Sequence, residues 1–184
     1  MALRRGDRLE LAITLYNLGH VARLQGDTQT AEDRFEKSLA IFREVEDALG
    51  QAAVLQSLVE VASESGDNHR AFSLLRVSIR FLKEIQYVSG LISSLDAQAG
   101  LMARLGQPEV AARLWGAYHA LGKEIGLERA HPLEAASHDE SVASVRALLG
   151  GQVFEQAWAT GASMKLDEAV DFALELHPTV RQPA

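Results

Sequence analysis

The chain has 184 residues, 47% of them apolar and 23% charged, with 25 acidic against 18 basic side chains and a formal net charge of -7. This composition suits a globular protein with a sizeable core; it argues against wholesale disorder, a proline-rich stalk or a helix with the roughly 20 apolar residues needed to span a bilayer. The absence of cysteine removes disulfides, thiolate metal sites and cysteine nucleophiles, and the scattering of basic residues among acids makes direct nucleic-acid binding a poor expectation.

The opening Met1-Ala-Leu-Arg-Arg lacks the apolar core of a secretion signal, and together with the missing cysteines it fits a cytoplasmic protein. Leu3 to Arg8 reads like the end of a helix belonging to an earlier repeat, so the chain is expected to be the C-terminal fragment of a longer protein. The outward face around Leu9, Ile13 and Tyr16 then has no cap and is expected to favour self-association.

Three glycines follow at Gly26, Gly66 and Gly106, forty positions apart. Eleven residues before each stands a leucine (Leu15, Leu55, Leu95), and eight before stand Leu18, Leu58 and Gln98. Five after each stands an alanine (Ala31, Ala71, Ala111), and nine after stand Phe35, Leu75 and Trp115. Apolar residues at Leu11, Leu15, Leu18 and Ala22, then at Ala31, Phe35, Leu39 and Phe42, step by three and four and so lie on single helical faces. Gly26-Asp27 and Gly66-Asp67 read as a glycine ending one helix and an aspartate capping the next; Gly106-Gln107-Pro108 places proline near a helix start. Each forty-residue unit is therefore a pair of antiparallel helices, with pairs expected at about 8–47, 49–86 and 89–126, all within a region 1–130.

After Gly126 the period breaks. His131-Pro132 reads as a turn, and shorter helices are expected at about 139–149, 152–160 and 166–176, the first capped by Ser137 with Glu140. Residues 131–184 are read as a C-terminal helical cap with a fraying tail from His177.

Residue types suggestive of chemistry are better explained by structure. Gly116 to Gly122-Lys123 has the wrong spacing for a phosphate loop, lies within a helical pattern, and has Glu124 where a magnesium-binding hydroxyl belongs. Ser137-His138-Asp139 has triad residue types, but a triad is assembled by geometry and not by adjacency. His131, His138 and Asp139 lack any metal-binding spacing. Met102, Met164, Trp115 and Trp158 are core candidates. No catalytic residue, cofactor or metal is expected, and the chain is read as a non-enzyme.

The columns Leu15-x-x-Leu18-Gly19-x-x-Ala22 and Ala31-x-x-x-Phe35-x-x-Ser38, repeated at Leu55, Leu58, Ala62, Ala71, Leu75 and Ser78, resemble the tetratricopeptide repeat, here with a period of forty in place of about 34. The third copy departs from the pattern at Gln98 and Tyr118. The long period resembles the sensor regions of maltose-activator-type transcription activators. The stretch from Ala111 to Gly126, together with Phe154, Trp158, Gly161, Met164, Leu166 and Glu168 to Leu174, resembles the C-terminal end of large bacterial LuxR-type and nucleotide-binding-switch regulators and related cyclases. Lys165 departs from that group, which has Ser or Thr there as a cap; Asp167 and Glu168 still suit a helix start.

The resemblance implies an all-α, right-handed superhelical solenoid of antiparallel helix pairs with a C-terminal cap. It also implies a concave groove lined by the first helix of each pair: Ile13, Tyr16, Asn17, His20 and Arg23, then Gln56, Ser57, Glu60 and Ser63, then Asp96, Gly100 and Ala103. Asn17 resembles the asparagine with which some peptide-binding repeats hold a partner's backbone, and an amide can both donate and accept. The two-lysine carboxylate clamp of some repeats is missing. The expected function is non-catalytic: an interaction and sensor module of a bacterial signalling or transcriptional regulator that binds a protein or peptide, with neither nucleic acid nor membrane as a direct partner. The alternative is a sugar- or metabolite-binding inducer domain, with Tyr16 and Tyr118 stacking on the ligand and Gln56 and Asp96 hydrogen bonding to it.

Overall fold

A computed structural model describes residues 4–127 and 132–177, without the side chains of residues 132–137. The described residues form nine helices and no strand: α1 (Arg5–Leu24), α2 (Thr28–Glu44), α3 (Ala48–Glu64), α4 (Asn68–Glu84), α5 (Val88–Arg104), α6 (Pro108–Glu124), α7 (Pro132–Leu149), α8 (Gly151–Ala162) and α9 (Leu166–Glu175). The architecture is an all-α helical repeat. The chain divides into two compact units, one ending at Phe81 and the next beginning at Leu82, so the boundary falls in the last turn of α4.

Turn chemistry explains the helix ends. Gly26, Gly66 and Gly106 hold φ of 78°, 77° and 73°, where a Cβ would be strained. The amides of Asp27 and Gln107 reach back to the carbonyls of Ala22 and Met102 at 3.0 and 2.9 Å. The carboxylates of Asp27, Asp47 and Asp67 then accept from the amides of Thr30, Gly50 and Arg70, each at 3.0 Å, and cap α2, α3 and α4. Glu46 and Gln86, which end the second helices of two pairs, adopt the same left-handed turn at φ 56° and 54° without being glycine.

In the first unit, Ala12, Ala22, Ala31, Phe35, Leu39, Phe42, Leu55 and Leu58 form the core. A Cβ on Gly19 would stand 2.6 Å from the Phe35 ring, so the small residue lets α1 and α2 close on one another. Ser38, fully buried, donates to the Ala12 carbonyl at 2.8 Å and ties the same two helices. The repeat columns separate sharply by position. Leu58 and Val61 of α3 are 5% and 4% exposed beneath α2, whereas their equivalents on α1, Leu18 and Val21, are 48% and 49% exposed. Leu11 and Leu18, on the apolar face expected of α1, stay 41% and 48% exposed: among the described residues no element precedes α1 to cover them.

In the second unit, α6 is central. Gly116 on α6 and Gly161 on α8 bring two backbones together: a Cβ on Gly161 would lie 1.8 Å from the Arg113 carbonyl oxygen, and one on Gly116 2.2 Å from that of Trp158. Gln98, the departure from the leucine column, is buried on α5 and donates to the Ala173 carbonyl of α9 at 2.7 Å. Lys83 reaches Asp171 of α9 at 2.6 Å, and Arg113 lies over the Phe172 ring at 5.0 Å. Helix α9 starts at Lys165 without a side-chain cap; Glu168 instead accepts from the Lys165 amide at 2.9 Å.

Helix α7 runs from Pro132, seven residues before its expected start, so Ser137 lies inside the helix and cannot be its cap. Proline suits a first helical position, where its missing N–H costs no hydrogen bond. The expected turn residue His131 and the tail beyond His177 lie outside the described residues.

Candidate partner-binding face

Tyr16, Asn17, His20 and Arg23 lie within about two turns on one side of α1, and Gln56, Ser57, Glu60 and Glu64 on one side of α3. Tyr16 and His20 are half-buried, their rings meeting edge to face at 4.5 Å, and His20 also packs on Phe35 at 5.1 Å. The Ser57 hydroxyl donates to the Ala53 carbonyl at 3.2 Å, which leaves its oxygen to accept from His20 Nε2–H at 3.3 Å. Burial, and then the nearby Arg23 guanidinium, holds the His20 imidazole below its ordinary value of 6.5. Both effects favour the neutral ring over the charged one.

Arg23 bridges the two helices. Its Nη1 contacts Glu60 at 3.1 Å and Glu64 at 2.6 Å, with about half of each carboxylate side chain exposed. Half-exposed ion pairs of this kind contribute at most about 1 kcal/mol each, so their value lies in fixing position. The two acids exceed the one guanidinium, leaving this end of the face with excess negative charge. Asn17 is exposed beside these fixed groups, as is Ile13 at 45%, while Gln56 is half-buried.

Nine of the twelve groove candidates, among them Tyr16, Asn17, His20, Arg23, Gln56 and Glu60, therefore lie in the first unit. Asp96 is placed differently. It belongs to the second unit, where its Oδ1 accepts from Trp115 Nε1 at 2.8 Å and lies 2.7 Å from His138 Nδ1. Tyr118, considered as a stacking platform, is 8% exposed and packs against His119 and His138 at 5.3 and 5.7 Å. Its ring faces are already in use. Sequence reasoning missed Glu64 and the His119–His138 contact. The forty-residue register offered a signal for Glu64, one turn beyond Glu60, but none for a histidine contact that crosses into the aperiodic region.

Among the described residues no group of three or more His, Asp or Glu side chains converges as a metal site, and no helix is long and apolar enough to cross a membrane.

The chain is 27% identical, over 124 residues, to proteins named as HTH-type transcriptional regulators in Mycobacterium tuberculosis and Mycobacterium bovis. The match covers 67% of this chain, which spans 14% of the length of those relatives. No solved structure matches the chain significantly. Residues 10–84, which hold most of the first two helix pairs, match the tetratricopeptide repeat family.

Proposed function

We propose that the chain is a non-catalytic interaction and sensor module of a bacterial signalling or transcriptional regulator, working in the cytoplasm. In this reading the chain comprises three helix pairs, at about 8–47, 49–86 and 89–126, followed by a C-terminal region from about residue 131. The face built on α1 and α3 holds a protein or peptide segment. The observation that carries this reading is the preset state of the face: His20 and Arg23 are fixed by Ser57, Glu60 and Glu64 while the Asn17 amide stays exposed. Preset polar groups lose little freedom on binding, and an exposed amide matches the alternating donors and acceptors of a peptide backbone. The similarity to HTH-type regulators supports the regulatory setting.

The test uses peptides selected from a random library on the immobilised chain. They are expected to lose binding to the triple variant Asn17→Ala, His20→Ala, Arg23→Ala while helical circular dichroism is retained. Unchanged affinity rejects this face. Self-association is proposed through a second copy docking on the uncovered Leu11, Leu18 and Val21 column of α1; a light-scattering mass of one chain at high concentration rejects it.

A further inference from the structure

Helix α4 departs from the charge balance of the chain. It holds Arg70, Arg76, Arg80 and Lys83 against Glu84 alone, an excess of three positive charges in a chain of net charge -7. Two of these cations are used inside the protein: Arg70 pairs with Glu32 and, at 3.4 Å, with Glu36 of α2, and Lys83 pairs with Asp171 at 2.6 Å. Arg76 and Arg80 have no anionic partner among the described residues. They lie one turn apart on one face of the helix. Arg76 is half-buried, its guanidinium 6.0 Å from the Phe72 ring, which fixes its direction. Arg80 is exposed, and Val77 between the two arginines is 47% exposed.

The repeat itself does not call for this pattern. In the preceding helix pair, forty residues earlier, the places of Ser73, Arg76, Val77 and Arg80 are held by Asp33, Glu36, Lys37 and Ala40, and Asp33 pairs with Lys37 at 2.7 Å. Helix α4 lacks that ion pair, has a base where α2 has an acid, and adds a second base. In the following pair the same places fall on α6, and there they seat a helix. Gly116, at the place of Arg76, would bring a Cβ to 2.2 Å from the Trp158 carbonyl oxygen of α8, and the carbonyl of Arg113, at the place of Ser73, lies equally close beneath Gly161. This side of a second helix can therefore carry another helix; on α6 it is covered by α8, and on α4 it is open.

We propose that the Arg76, Val77 and Arg80 face of α4 docks an acidic amphipathic helix of a partner protein. Carboxylates one turn apart on that helix meet the two guanidinium groups, and an apolar side chain lies on Val77. The planar fork of arginine matches a carboxylate with two parallel hydrogen bonds. Arg76 and Val77 are bulkier than Gly116 and Ala117, so the docked helix stands further from α4 than α8 does from α6, a gap that long acidic side chains span. A long polyanion such as nucleic acid fits less well, because the patch offers two free cations and the remainder of the chain is acidic. The surface shares no residue with the face on α1 and α3, and its test is independent of that reading.

Synthetic helical peptides with Glu at positions i and i+4 beside a leucine, and their Gln counterparts, are titrated against the full chain by fluorescence anisotropy. The Glu peptides are expected to bind, more weakly as salt is raised, and the Gln peptides to bind about tenfold or more less tightly. Arg76→Gln combined with Arg80→Gln is expected to weaken the Glu peptides about tenfold or more, whereas Arg34→Gln combined with Arg43→Gln, which removes the same charge from α2, changes affinity no more than about twofold. Equal losses in the two double variants overturn the proposal. So does a failure of every Glu peptide to bind, including where duplex DNA or phosphatidylserine vesicles bind in their place. Should the Arg76 and Arg80 variant not fold, Val77→Glu, which puts a carboxylate at an exposed site between the arginines, is expected to weaken binding to a similar degree; unchanged affinity overturns the proposal.

Discussion

Gly116 and Gly161 mark the tightest backbone approach in the second unit, and both fill places where a methyl group has no room. Gly161→Ala is expected to cost about 1–3 kcal/mol through forced separation of α6 from α8, read as a lower midpoint in urea. Glu46 and Gln86 present the opposite case, L-residues held in a left-handed turn that glycine adopts without penalty. Gln86→Gly is expected to stabilise by about 0.5–1 kcal/mol, its relief of turn strain partly offset by glycine's greater freedom when unfolded, and thermal melts check the sign. His20 carries a pH dependence. Its folded-state value is depressed by burial and Arg23, so the unfolded chain binds the proton more readily. The stabilisation is present in full above about 6.5 and is lost as pH falls through the depressed folded value. Melting the wild type and His20→Gln across this range is expected to show a flatter profile in the variant. Of these residue effects only the glycine turns were legible in the sequence. The partner of Gly161 is nearly fifty residues away in the chain, and the surroundings of His20 depend on Ser57 of the next pair.

Among the helices, the same column behaves differently according to its neighbour. Leu58 on α3 is 5% exposed and Leu18 on α1 is 48% exposed although the repeat makes them equivalent. Leu58→Ala is therefore expected to cost about 2–5 kcal/mol and Leu18→Ala no more than about 0.5 kcal/mol, both read from urea unfolding; equal losses would refute the assignment. The sequence made the helix pairs, their alanine columns and their aspartate caps legible because these are local and periodic. It could not show which face lacks a cover, since that depends on packing. The start of α7 was misplaced because His131-Pro132 was read as a turn, when a proline also suits the first turn of a helix. Gln98 looked like a defect of the third repeat; its amide instead joins α5 to α9, a partner outside the repeat period.

For the molecule as a whole, the repeat register explains why the groove candidates from α1 and α3 gather in one unit while Asp96 is drawn into a separate cluster by His138, a residue beyond the last repeat. The regulators that the chain resembles are several times longer, and it spans 14% of their length. The central claim is that the partner lies along α1 and α3. Hydrogen exchange of the full chain with and without a selected peptide tests it most directly: protection is expected to rise over residues 13–24 and 53–64, and protection confined to α7, α8 and α9 would contradict it.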